Sequence, residues 1–129
     1  MRPFDKKSKP KFKLHYFPVE VAKQYGVNEA IVLYHLIYWI SKNSMKKRNN
    51  IDGRTWTYNS VRNFKKYLVY WSEPKIRRIL KTLEEKEVII SDNHNKNKYD
   101  KTKWYALNDE EHWLTKYNPV DRNEEWDIN

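Results

Sequence analysis

Hydrophobic positions fall along this chain in three distinct patterns, and each predicts an element. The run Ala30–Ile40 (AIVLYHLIYWI) is apolar on nearly every face, which predicts a buried central helix. Before it, Val19–Tyr25 is long enough for a short helix ending at Gly26, a residue suited to a left-handed C-terminal position. Asn28 is the predicted cap of the central helix, with Glu29 well placed for its dipole. Leu14–Pro18 reads as a short extended piece docking on the core, and Lys42–Asn50 as a polar, basic loop. After the turn signal Asp52-Gly53, Arg54–Tyr58 (RTWTY) alternates as a strand does. Asn59-Ser60 offers a cap for Val61–Leu68, where Val61, Phe64, Tyr67 and Leu68 recur at spacings of three and four on one face.

The second half is more strongly punctuated. Ser72-Glu73-Pro74 combines an N-cap serine, an acid in the first turn and an early proline, so a helix is predicted from there to about Lys86. Ile76, Ile79, Leu80 and Leu83 form its inner stripe, and Trp71 just before it is placed to staple the helix start. Val88–Ser91 is a β-branched strand, Asp92–Lys103 a polar reversal and Trp104–Leu107 (WYAL) a second strand. Asp109–Tyr117 has the length of a short terminal helix. The order strand, helix, short turn, helix, strand, basic hairpin, strand is that of a winged helix-turn-helix. The expected fold is therefore α+β, mainly helical, with a three-stranded sheet and wing. The expected organisation is a basic arm at residues 1–13, a winged-helix domain at 14–117 and an acidic tail at 118–129.

Charge gives this order a function. The formal net charge is +9, but an AT-rich genome also enriches lysine, so its distribution matters more than its sum. Residues 1–16 hold six basic residues and one acidic, 17–108 hold eighteen and nine, and 109–129 hold two and seven. The positive excess thus lies in the arm and body, opposed by the C-terminus. With its isoleucine and leucine stripe turned inward, the helix after Ser72 must present Lys75, Arg77, Arg78 and Lys81 outward, a cationic face of the right width for a DNA major groove. The reversal adds Lys96, Lys98, Lys101 and Lys103, with little to bury and much to offer phosphates or a minor groove.

Three segments carry a resemblance. DGRTWTYNSVRNF, YWSEPKIRRILKTLEEKEVI and NKNKYDKTKWYAL, together spanning most of residues 52–107, resemble the winged-helix domain of phage and plasmid replication-type proteins, of the replisome-organiser or initiator kind. Leu33–Trp39 is similar to the preceding helix of that family. Glu87 departs from the pattern, standing where the family has glycine, so a slightly different helix exit is expected there. The resemblance implies double-stranded DNA as partner and a role in replication initiation or transcriptional regulation. The expected contacts are Lys75, Arg77, Arg78 and Lys81, with Ser72 and Asn59 at helix starts and the four wing lysines.

Other chemistries find little support. Without cysteine there is no disulfide, thiolate site or cysteine nucleophile, and the four histidines lack metal-ligand spacing. Two glycines cannot build a phosphate loop, and Glu84-Glu85-Lys86, an acid-x-lysine match, ends a helix where nucleases need a strand. No enzymatic activity, metal or cofactor is expected. Trp56, Tyr58, Trp104 and Tyr105 are read as core in preference to a single-strand stacking platform, and His35 as a packed, hydrogen-bonded core residue. No apolar run reaches the length of a membrane span and the basic N-terminus lacks an apolar segment, so no membrane partner and a cytoplasmic location are expected. The alternative function is a winged-helix protein-interaction module that binds and modulates a host replication or defence complex, with the tail Glu124–Asn129 docking on a host or phage protein. A homodimer is left open.

Overall fold

The computed structural model describes residues 14–117, so the basic arm and the acidic tail lie outside the described residues. The elements follow in the order α1 (Val19–Tyr25), α2 (Val27–Met45), β1 (Asn50–Ile51), β2 (Arg54–Tyr58), α3 (Val61–Tyr67), α4 (Glu73–Glu85), β3 (Ile89–Asp92), β4 (Trp104–Leu107) and α5 (Glu110–Lys116). The four strands form one antiparallel sheet in the order β1-β2-β4-β3. The protein is α+β, and the arrangement is compatible with a winged-helix-like mixed fold. Two expectations are corrected. The sheet has four strands instead of three, and the chain is not mainly helical, because helices take up 51% of the described residues.

The extra strand comes from a hairpin that composition concealed. Lys42–Asn50 is not a loop throughout: α2 continues to Met45, and Asn50-Ile51 pairs with Thr55 and Arg54. Asp52 and Gly53 both have positive φ, 53° and 77°, as a two-residue turn matched to strand twist requires. The start of α2 also differs from expectation. Its cap is Gly26, without a side-chain hydrogen bond, and Asn28 lies inside the first turn. Gly26 itself adopts φ 110° and ψ 155°, which is not the expected left-handed helical geometry but a region open essentially to glycine alone. A Cβ there would collide with the Glu29 carboxylate.

α2 is the axis of the core. Leu33, Leu36, Ile37 and Ile40 on it are fully buried, as are Phe64 of α3, Leu68 at its C-cap, and Ile76, Leu80 and Leu83 from α4. Strand alternation brings Ile89, Tyr105 and Leu107 into the same cluster. His35 sits within it, its ring 5.1 to 6.3 Å from those of Tyr67, Phe64 and Trp39, and burial pushes its pKa down to about 3, so it is neutral. The opposite sheet face holds Trp56, Tyr58 and Trp104, outside that cluster.

Both helix starts in the centre behave as their sequences predict. Asn63 N–H donates to Ser60 Oγ at 3.2 Å and Lys75 N–H to Ser72 Oγ at 3.3 Å, so Ser60, not Asn59, caps α3. Trp71 and Ile76, the two positions of a hydrophobic staple, are both buried in the core. The exit of α4 overturns the expectation of altered geometry. Glu87 takes φ 58°, the conformation glycine would have adopted. Its N–H donates to Glu84 O and that of Val88 to Leu83 O, the two bonds of a Schellman ending, with Leu83 and Val88 both buried. Leu14–Pro18 forms no regular element, and Leu14, Tyr16 and Phe17 are exposed. The segment is tied down instead by a 2.7 Å hydrogen bond between His15 Nδ1 and the Tyr70 hydroxyl.

Candidate nucleic-acid interface

A groove of about 650 Å³ runs between the outer side of α4, the start of α3 and the approach to β4. α4 contributes Arg77 and Lys81, the α3 start contributes Asn59 and Arg62, and the wing contributes Lys101 and Lys103. Arg77, Lys81, Arg62, Lys101 and Lys103 are all exposed. The same walls carry two carboxylates, Glu73 and Glu84. Glu73 receives Arg77 at 3.3 Å, and Glu84 receives the Ser91 hydroxyl at 3.1 Å with Lys103 Nζ 3.9 Å away. Exposed pairs of this kind are worth about 0–1 kcal/mol each, so an incoming polyanion can replace the carboxylates at little cost. Tyr105 forms part of the wall, and burial, reinforced by the nearby Glu84 charge, pushes its hydroxyl up to about 12. It is therefore a neutral donor at any physiological pH.

The wing is ordered by its own side chains. Asn95 Nδ2 donates to the carbonyls of Asp100 and Thr102 at 2.9 and 2.8 Å, while Asn95 Oδ1 accepts from Trp104 Nε1 at 2.7 Å. The Asp100 carboxylate accepts from Thr102 N–H and the Tyr58 hydroxyl, both at 2.9 Å, and these hold its pKa below the usual range. His94 packs edge-on to Trp56 and Trp104, at 4.5 and 5.7 Å. The reversal thus buries more than its composition suggests. It folds against the outer face of the sheet and leaves the lysines outside.

The predicted contact residues divide. Arg77, Lys81, Lys101, Lys103 and Asn59 are brought together in the groove. Lys75 lies half-buried with Nζ 5.7 Å from the centre of the Trp71 ring, and Arg78 is exposed outside the groove walls. Lys96 and Lys98 project from the wing tip, Lys98 lying over Tyr99 at 5.4 Å, and Ser72 is occupied as a helix cap. Sequence reasoning missed Arg62. Its signal was a cation in the first turn of α3 with no acid beside it, a placement that the helix dipole disfavours and that therefore asks for another reason. The aromatic residues also divide. Trp56 and Tyr105 are buried as expected, whereas Tyr58 is 44% exposed and packs beside Trp104 with ring centres 5.1 Å apart.

Among the described residues no group of three or more histidine, aspartate or glutamate side chains converges as a metal site, and no helix is long and apolar enough to cross a membrane. No protein family, curated protein or solved structure matches this chain.

Proposed function

We propose that this chain is a double-stranded-DNA-binding winged-helix protein of a phage or related mobile element, acting in replication initiation or transcriptional regulation. The element order β2, α3, α4, β3, β4 and the pairing β2-β4-β3 support the fold reading. The resemblance of residues 52–107 supports the mobile-element reading. One observation carries the DNA reading: Arg77 and Lys81 of α4 share a continuous groove with Lys101 and Lys103 of the wing. A helix in the major groove and a wing on the neighbouring backbone need cations joined in this way.

The test is fluorescence anisotropy of the full chain with a random-sequence duplex of about 30 base pairs. If Arg77, Lys81, Lys101 and Lys103 each meet a phosphate, the log–log salt slope approaches about −3.6, and affinity falls roughly a hundredfold between about 50 and 200 mM salt. Binding at micromolar concentration or tighter at low salt, with that steep decline, supports the proposal. Absence of duplex binding at low salt by the folded protein contradicts it.

A further inference from the structure

Beside the basic groove lies a second cleft, of about 350 Å³, with a different chemistry. Its walls include Trp39 and Tyr67, whose ring centres are 5.8 Å apart, and Tyr58 and Trp104, 5.1 Å apart. The same walls carry Thr57, Asn43, Asn49 and Asn59. Asn43 Nδ2 is committed to the Trp56 carbonyl at 2.9 Å. Asn49 and Asn59 are half-buried, and their amides hold no hydrogen bond among the described residues. No charged side chain lines the cleft. Asn59 lines both it and the basic groove, so the two spaces meet there.

We propose that this cleft receives one unpaired nucleobase of a nucleic-acid strand whose phosphates lie in the basic groove. Aromatic rings favour a planar guest, and amides, each both donor and acceptor, suit the edges of a base. A site of this volume is at the lower end for small ligands, about 300–1000 Å³, and is too small for a peptide helix. A neutral sugar also stacks on aromatic rings, but it has no use for Arg62, Arg77, Lys81 and the wing lysines next door, whereas a nucleotide does. The inference rests on the DNA-binding reading. It adds that the protein distinguishes melted or bulged strands from a fully paired duplex.

The test is an indole N–H correlation spectrum of the full chain, titrated with deoxynucleoside monophosphates. Trp39→Phe assigns the Trp39 signal. Saturable shifts of the Trp39 and Trp104 signals are expected with nucleotides and not with deoxyribose phosphate, which lacks the base. Tyr58→Leu, at an exposed position, should weaken that response about tenfold. Signals unmoved by every nucleotide up to about 10 mM overturn the proposal, as does an equal response to the sugar phosphate. Duplex affinity measured on the same sample separates the two readings. Duplex binding with silent indoles removes the base site alone, and shifting indoles without duplex binding remove the duplex reading alone.

Discussion

The helices α2 and α4 both carry isoleucine and leucine, yet they put them to different uses. α2 has nineteen residues, ten of them buried, and wraps its apolar side chains around most of its circumference. α4 has thirteen, of which Ile76, Ile79, Leu80 and Leu83 are buried in a single stripe. The remainder of α4 carries Lys75, Arg77, Arg78 and Lys81, whereas α2 reaches its first cation, Lys42, only in its last turn. A helix surrounded by its own protein devotes its side chains to stability. A helix with an open face leaves its remaining side chains free of the core.

Mutation should separate these roles. Ile37→Ala, at a fully buried position of α2, should cost about 2–5 kcal/mol in denaturant unfolding. Arg77→Ala on the open face of α4 should change stability by less than about 0.5 kcal/mol. Comparable losses from the two would break the contrast.

Protonation probes the closed side of the same contrast. His35 in α2 is held near pKa 3 by burial, while the unfolded chain takes up its proton near 6.5. Because the folded value lies below the unfolded one, acid favours the unfolded state, and stability declines as pH falls from about 6.5 toward 3. Between pH 7 and 5 that linkage amounts to about 2 kcal/mol, readable from urea midpoints. His35→Leu should flatten the profile over this window, and an unchanged pH dependence would show that other groups set it.

Two smaller effects sharpen the account of α4. Ser72→Ala removes the cap of its first turn and should cost about 1 kcal/mol in thermal or denaturant unfolding. Glu87→Gly should do the reverse. A non-glycine residue at φ 58° carries left-handed strain, and relieving it should raise stability by about 0.5–1 kcal/mol after the added flexibility of the unfolded chain is counted. A loss of stability on that substitution would mean the glutamate side chain contributes more than its backbone strain costs.

These elements also show what a single sequence discloses. Ser72-Glu73-Pro74 and the spacing of Ile76, Ile79, Leu80 and Leu83 define α4 locally, so both its start and its buried stripe were legible. The alternation of Arg54–Tyr58 was legible for the same reason, and Trp104–Leu107 was legible as a second short strand. The end of α2 was not. Ser41–Met45 is largely polar, and the helix there is supported by a tertiary contact, the Asn43 side-chain amide donating to the Trp56 carbonyl at 2.9 Å. β1 is two residues long, too short to show a period. The conformation of Glu87 is imposed by the Schellman bonds and by Asn108 Nδ2, which donates to the Glu87 carbonyl at 2.8 Å from 21 positions away.

The candidate interface was legible as a set of cations but not as a surface. Spacing alone places Arg77 with Lys81 and Lys75 with Arg78. Which pair faces the wing depends on how β4 returns alongside α4, a fact of tertiary structure. The aromatic cleft beside it was hidden more deeply, since its walls come from α2, the β1–β2 hairpin, α3 and β4.

The central claim, that the groove between α4 and the wing is the DNA contact, is tested most directly by comparing two double variants of equal charge change. Arg77→Ala/Lys81→Ala removes two groove cations, and Lys75→Ala/Arg78→Ala removes two from the same helix outside it. With duplex anisotropy at several salt concentrations, the first variant should lose affinity at least about tenfold and reduce the salt slope by about 1.8. The second should lose distinctly less. Equal losses from both variants would mean that binding follows net charge alone, and a greater loss from the second would place the contact on the other side of α4.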